Sequence, residues 1–148
     1  MVDSRKIRLL VIEDSAPYVY LIQRAFRARG GETEWELSVA KDGEEAVQFL
    51  FREEKEQEPL PDIILLDWRL PKLNGDEVLR RTKEHKKLCK IPVLIFSTSD
   101  TDEDIHAAYG AHANGYIVKP NDSAKLDMIV ENIEHFWINS ACIPKVER

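Results

Sequence analysis

Residues 63–75 read Ile-Ile-Leu-Leu-Asp-Trp-Arg-Leu-Pro-Lys-Leu-Asn-Gly, and an abrupt change of residue type divides this stretch. Four consecutive apolar residues are typical of a short strand that is buried on both faces, as the strands of a parallel sheet are. The Pro, Asn and Gly that follow indicate a turn. Asp67 stands between the two, at the carboxyl end of the strand, where α/β folds place their ligands.

Three other short apolar runs end in polar residues: 7–12 before Glu13 and Asp14, 93–96 before Ser97, and 116–118 before Lys119. The runs 7–12, 93–96 and 116–118 also predict strands buried on both faces. Segment 35–40 alternates apolar and polar residues, which predicts a strand nearer the edge of the sheet. Helical patterns separate the strands. The expected capping segments of three helices are Asp42-Gly43, Thr101 with Asp104 three residues later, and Asn121-Asp122-Ser123.

Strand and helix therefore alternate five times, which predicts an α/β fold with a doubly wound, five-stranded parallel sheet of flavodoxin-like type. The expected strand order is 2-1-3-4-5, and it places Glu13 and Asp14 beside Asp67. Residues 76–87 form the weakest predicted helix, and residues 52–61 read as a charged loop.

The composition excludes several classes of protein. The 148 residues suit one domain, and a net charge of −6 with a pI near 5.3 argues against a nucleic-acid partner. The basic cluster within residues 80–90 lacks interleaved aromatic residues and reads as a solvated helix face. The first apolar run is too short for the core of a signal peptide or for a membrane span, and the two cysteines lack metal-ligand or disulfide spacing. We expect a cytoplasmic protein with neither a nucleic acid nor a membrane as partner.

Three carboxylates at one sheet edge repel one another unless their pKa values rise or a cation binds. Oxygen ligands without His or Cys favour Mg²⁺. Lys119 adds a positive charge and Ser97 a hydroxyl, and together with the metal these suit the oxygens of a phosphoryl group. Asp67 is then a candidate nucleophile that becomes an aspartyl phosphate. Taken singly, each of these residues is more often a turn or cap residue.

Over about residues 7–138 the chain resembles a receiver domain of a two-component response regulator, in the single-domain style of the chemotaxis response regulator. The matching segments are Glu13-Asp14, residues 65–71 with Asn74-Gly75, residues 91–93 leading to Ser97-Thr98, and residues 115–120.

The resemblance implies a role for each matching residue. Glu13, Asp14 and Asp67 are the expected Mg²⁺ ligands with the Arg69 backbone carbonyl, Asp67 is the phosphoacceptor, Lys119 the phosphate partner, and Ser97 and Tyr116 the switch pair. Thr98 replaces the alanine or glycine that is common in the family, which predicts tighter access to the phosphate. Arg69 and Ser99 flank the site, and the sequence leaves open in which direction they alter the phosphoryl lifetime.

Residues 136–144 are more apolar than a solvated terminus usually is. Together with residues 70–75 and 112–115, this apolar segment resembles the small regulators that are paired with bacterial phytochrome sensor kinases. The resemblance implies such a kinase as partner. We expect a receiver domain at 1–138, an extension at 139–148 and no output domain. The extension either folds back or forms a dimer arm, and a homodimer through the fourth helix, fifth strand and fifth helix is the expectation.

The function predicted from the sequence is a phosphoacceptor switch that loses its phosphoryl group slowly and is not a turnover enzyme. The first rival is a haloacid-dehalogenase-type phosphatase, which needs a second aspartate two residues after the nucleophile, where this chain has Arg69. The second rival is an interaction module that works without phosphate.

Overall fold

The computed structural model describes residues 5–31, 33–52 and 59–148. Its five strands are β1 (Arg5–Ile12), β2 (Thr33–Ala40), β3 (Ile63–Leu66), β4 (Val93–Ser97) and β5 (Gly115–Val118). Its five α-helices are α1 (Ala16–Arg27), α2 (Gly43–Leu50), α3 (Gly75–Glu84), α4 (Asp102–Gly110) and α5 (Ser123–Ile133). A short 3₁₀ turn at Leu88–Lys90 follows α3, and a π-helical segment at Glu134–Ser140 continues α5.

The strands form one parallel sheet in the order β2-β1-β3-β4-β5, so the predicted order and fold class are confirmed. Ile12 at the end of β1 pairs with Leu66 at the end of β3. This register brings the residues that follow the two strands to the same edge of the sheet.

Two apolar layers enclose the sheet, and β1 shows why its sequence is continuously apolar. Leu10 and Ile12 pack in one layer with residues of α2 and α3, whereas Leu9 and Val11 pack in the other with residues of α1 and α5. Since neighbouring residues of a strand point to opposite faces, a strand covered on both sides needs an apolar residue at every position.

Two predictions about elements are wrong in detail. The segment 116–118 was expected to be buried on both faces, but β5 is an edge strand whose residues are half-buried and whose Val118 is exposed. The helix expected at 76–87 ends at Glu84, because His85 adopts an extended backbone. The amphipathic strand β2 does lie at an edge, as predicted. Of the loop expected at 52–61, residues 53–58 lie outside the described part of the chain.

The helix starts follow the predicted capping residues. Asp42, Thr101 and Asp122 each accept a hydrogen bond from a backbone N–H three residues later. Asn74 precedes α3 but its side chain accepts from the Leu70 N–H instead, so it stabilises the turn after β3. No helix within the described ranges is long and apolar enough to cross a membrane.

The C-terminal extension folds back along its own domain. The Arg5 guanidinium donates to the Ile138 carbonyl at 2.7 Å, which fixes the end of the π-helical segment. The Arg148 guanidinium reaches the end of α2, where it donates to the carbonyls of Phe49 at 2.7 Å and Arg52 at 2.8 Å. In this single chain the extension therefore contacts the end of α2, and the dimer arm stays a prediction.

Candidate functional site

Three carboxylates converge where β1 and β3 end. One oxygen from each of Glu13, Asp14 and Asp67 lies within 4.8 Å of the others. The backbone fixes two of them, because the Glu13 N–H donates to the Ala40 carbonyl and the Asp67 N–H to the Ile12 carbonyl, both at 3.0 Å. Glu13 and Asp67 are buried, whereas Asp14 is exposed. The strand order therefore brings together the acidic residues that the sequence singled out.

Lys119 reaches this cluster from the end of β5. Its ammonium forms an ion pair with Glu13 and lies 3.2 Å from Asp67 Oδ2, and its side chain is only 7% exposed. The same ammonium lies 4.7 Å from the centre of the Tyr18 ring, in a cation–π contact. A buried ion pair of this kind needs good geometry to offset desolvation, and the two carboxylates and the ring supply it.

The cluster carries more negative charge than Lys119 neutralises. The pKa of Glu13 is raised to about 7, mainly because the carboxyl is buried. The hydrogen bond from Lys119 opposes this rise, whereas the negative charge of Asp67 adds to it. Burial likewise raises the pKa of Tyr18 to about 12. Three oxygen donors, one of them on the exposed Asp14, suit a hard divalent cation, which would remove the repulsion among the carboxylates.

Ser97 and Tyr116 both connect to Ser99 in the loop after β4. The buried Ser97 Oγ accepts from the Ser99 N–H at 3.3 Å, and the Tyr116 hydroxyl donates to the Ser99 carbonyl at 2.8 Å. Ser97 is also tied to β5, because its carbonyl accepts from the Lys119 N–H at 2.8 Å. The predicted switch pair is thus joined through one loop residue.

The backbone of Arg69 contacts the acidic cluster, whereas its side chain points to α4. Its N–H donates to Asp67 Oδ1 at 3.2 Å, while its guanidinium pairs with Asp104 on α4 at 3.0 Å. The sequence pattern missed two contacts of this region. In the sequence, Tyr18 lies in a segment with a helical pattern and Asp104 stands three residues after the capping residue Thr101, and neither has a motif that reveals its tertiary neighbour.

Residues 9–131 match the model of the response regulator receiver domain family. The chain belongs to that family. Response regulators act in two-component signalling, and the matched range contains Glu13, Asp67, Ser97 and Lys119.

The receiver domain is similar to curated proteins along most of its length. It is 39% identical over 132 residues to the probable methanogenesis regulatory protein FilR2 of Methanothrix harundinacea, covering 88% of this chain and 83% of that protein. It is 36% identical over 137 residues to response regulator Rcp1 of Synechocystis sp., covering 92% of each.

Solved structures agree with the fold of the receiver domain. The phosphorylated cyanobacterial phytochrome response regulator RcpA is 36% identical with a TM-score of 0.86, covering 94% of this chain and 99% of RcpA. The Mn²⁺-bound form of Rcp1 is 34% identical with a TM-score of 0.84, covering 93% and 99%. Structures of similar proteins therefore exist both with a divalent metal and with a phosphoryl group.

Proposed function

We propose that the protein accepts a phosphoryl group on Asp67 from the phosphohistidine of a sensor kinase. The observation that carries this proposal is the buried Asp67 carboxylate with Lys119 Nζ 3.2 Å away and the Glu13 carboxylate beside both. In the transfer, an Asp67 oxygen bonds to phosphorus, the bond between phosphorus and the histidine nitrogen breaks, and the imidazole leaves. Lys119 and the Ser97 hydroxyl bind oxygens of the transferred group.

Glu13, Asp14 and Asp67 would hold Mg²⁺ together with the backbone carbonyl of Arg69. The fit rests on the oxygen-only donor set and on the mutual closeness of the three carboxylates. Bound there, the ion neutralises charge that develops on the phosphoryl oxygens. Lys119 supplies the second positive charge at the same edge.

The signal leaves the site through Ser97 and Tyr116. When the Ser97 hydroxyl turns to a phosphoryl oxygen, its hydrogen bond with the Ser99 N–H changes, and Ser99 is also the residue that accepts from Tyr116. Phosphorylation thereby changes the relative population of two loop arrangements, and the surface formed by α4, β5 and α5 reports it to a partner protein.

A transfer assay tests this function against the phosphatase alternative. Incubation with an autophosphorylated histidine kinase and Mg²⁺ moves the label to the wild type and leaves Asp67→Ala unlabelled. The wild type hydrolyses a phosphate monoester such as p-nitrophenyl phosphate for no more than about one turnover per site, because position 69 lacks the general acid. Many turnovers per site would favour a phosphatase, and label on Asp67→Ala would place the acceptor elsewhere.

A bacterial phytochrome is the kinase that we propose as the partner. RcpA is a cyanobacterial phytochrome response regulator, and this chain covers 99% of its length. FilR2, at similar identity, is named a probable methanogenesis regulatory protein, so the receiver fold alone does not select the signal. Phosphotransfer profiling tests the pairing: the phytochrome kinase labels the protein faster than other kinases do, and equal rates across kinases would contradict it.

The face formed by α4, β5 and α5 is the proposed homodimer contact. A groove of about 480 Å³ on this face is lined by Tyr109, Ile117, Phe136 and Trp137, and Phe136 is 55% exposed. Such a contiguous apolar surface is typical of a protein interface. The extension at 139–148, although folded back, begins beside Trp137 and would border this contact.

Light scattering on the wild type, on Phe136→Glu and on Tyr20→Glu tests the dimer. Tyr20 is the matched control, because it is 60% exposed but lies on α1 and does not line the groove. We expect a dimer for the wild type and Tyr20→Glu and a monomer for Phe136→Glu. A monomeric wild type, or a dimer that survives Phe136→Glu, would contradict the proposed contact. Truncation after Ile138 tests separately whether the extension adds to it.

A further inference from the structure

A buried carboxylate outside the acidic cluster joins two loops that border the site. Asp104 lies in the first turn of α4 and is 8% exposed. Its carboxylate accepts from the Ser99 hydroxyl at 2.5 Å, and Arg69 Nη2 lies 3.0 and 3.2 Å from its two oxygens. The Ser99 hydroxyl, together with Arg69 and the Trp68 side chain, holds the pKa of Asp104 below its ordinary value.

The two partners of Asp104 occupy equivalent places in the loops that follow the neighbouring strands β3 and β4. Arg69 is two residues past Asp67, and Ser99 is two residues past Ser97. Each is anchored to the site through its backbone, since the Arg69 N–H donates to Asp67 Oδ1 at 3.2 Å and the Ser99 N–H to Ser97 Oγ at 3.3 Å. The three side chains of Arg69, Asp104 and Ser99, here called the Asp104 bridge, thus connect the acceptor side of the site with its hydroxyl side.

We propose that Asp104 is a positioning residue whose bridge lengthens the life of the phosphoryl group on Asp67; the proposal rests on Asp67 being the phosphoacceptor. A phosphoryl group bonded to Asp67 and bound by the Ser97 hydroxyl lies between the loops that carry Arg69 and Ser99. The side-chain contacts of Asp104 with these two residues do not involve the Ser97 hydroxyl, so they persist when that hydroxyl turns to the phosphoryl group. In hydrolysis, a water oxygen bonds to phosphorus opposite the Asp67 oxygen, and the bond from phosphorus to Asp67 breaks. The Asp67 carboxylate and inorganic phosphate are formed, and the water proton passes to the phosphate. The Asp104 bridge restricts the approach of that water.

The bridge depends on the Asp104 carboxylate. The Arg69 side chain is 65% exposed, and without its partner it is free to take many rotamers. The Ser99 hydroxyl loses its short hydrogen bond at the same time, so the loop after β4 is no longer tied to the loop after β3. Both changes open the crevice to water.

The test is the rate of dephosphorylation after loading with acetyl phosphate and Mg²⁺ and removal of the donor. The variants are Asp104→Asn, Arg69→Ala and the double variant, and Glu103→Gln is the control because it removes one charge from an exposed neighbour on α4. We expect Asp104→Asn and Arg69→Ala each to lose phosphate about two- to tenfold faster than the wild type. The double variant is expected to be no faster than the faster single variant, because both substitutions break the same bridge.

Wild-type lifetimes in both single variants, multiplied effects in the double variant, or equal acceleration in Glu103→Gln would overturn the proposal. Arg69→Ala changes an exposed side chain, so it carries the test even if Asp104→Asn folds poorly. Peptide mass spectrometry of the loaded proteins separates the two levels of inference. If the wild type takes no label on Asp67, the phosphoacceptor assignment fails and the bridge proposal with it. A labelled wild type with equal lifetimes overturns the bridge alone.

Discussion

Asp14 is the exposed member of the three carboxylates at the sheet edge, and Glu13 and Asp67 are buried beside Lys119. This division separates two tasks. The buried pair is held by Lys119, whereas Asp14 is open to solvent, so we expect its loss to weaken the proposed ion site without breaking those ion pairs.

We therefore expect Asp14→Asn to weaken Mg²⁺ binding by at least about tenfold, since even indirect partners of a metal are commonly worth that much. Calorimetric titration with MgCl₂ measures the affinity. Asp102→Asn is the control, because it removes an exposed aspartate from α4. Equal affinity in Asp14→Asn and the wild type would remove Asp14 from the proposed ligand set.

Tyr116 is held by its hydroxyl, which donates to the Ser99 carbonyl at 2.8 Å. Tyr116→Phe loses this hydrogen bond, and we expect the free energy of unfolding to fall by about 0.5 to 1.5 kcal/mol. Tyr109→Phe, on the exposed part of the same face, should change it by less than about 0.5 kcal/mol. Denaturant unfolding measures both, and equal stabilities would mean that the Tyr116 hydroxyl is not held in solution.

For single residues, the sequence predicted those members of the site whose position follows from strand topology alone. Three of them, Glu13, Asp67 and Lys119, directly follow a strand, and Ser97 is the last residue of one. Parallel strands bring such residues to one edge of the sheet. The contacts of Asp104 could not be predicted, because they depend on how the first turn of α4 packs against the loop after β3. No periodicity in the sequence encodes that packing.

The first turn of helix α3 holds the loop that carries Asp67. Gly75 is the first residue of α3, its N–H donates to the Trp68 carbonyl at 3.1 Å, and a Cβ there would overlap the backbone oxygens of Asp67 and Trp68. A glycine is needed because the helix backbone approaches the acceptor loop this closely.

Gly75→Ala should therefore destabilise the protein by about 1 to 3 kcal/mol and slow phosphorylation by acetyl phosphate, because the loop that carries Asp67 must shift. Gly110→Ala is the matched control at the end of α4, where a Cβ meets nothing within 4 Å. It should leave phosphorylation unchanged and stabilise the chain by up to about 1 kcal/mol. Thermal unfolding and the labelling rate measure both effects. Wild-type behaviour of Gly75→Ala would show that the loop tolerates a side chain at this point.

Element boundaries show where sequence patterns lose information. A run of three apolar residues looks the same in a central strand and in β5, whose outer edge has no neighbouring strand within the described sheet. The end of α3 at Glu84 likewise depends on His85, whose Nδ1 accepts the N–H groups of Lys87 and Leu88 and turns the chain.

Across the whole molecule, the extension connects the end of α5 with the end of α2. Arg148 donates to carbonyls at the end of α2 and lies 5.5 Å from the Phe49 ring centre. We expect Arg148→Ala to lower the free energy of unfolding by about 1 to 2 kcal/mol and to speed hydrogen exchange in the last turn of α2. Glu147→Ala, at an exposed neighbour, is the control. Unchanged hydrogen exchange would mean that in solution the extension does not contact α2.

The sequence could not predict this contact of the extension. Arg148 donates to backbone carbonyls, and because every residue has one, no residue type in the sequence marks the partner.

One mass measurement decides whether Asp67 receives the phosphoryl group. The wild type, Asp67→Asn and Asp62→Asn are incubated with acetyl phosphate and Mg²⁺, and the intact masses are compared; Asp62 is a buried aspartate at the opposite end of β3. We expect one phosphoryl group on the wild type and on Asp62→Asn, none on Asp67→Asn, and none on the wild type when EDTA replaces Mg²⁺. An unmodified wild type, or an Asp67→Asn variant modified to the same extent, would contradict the assignment of Asp67 as phosphoacceptor.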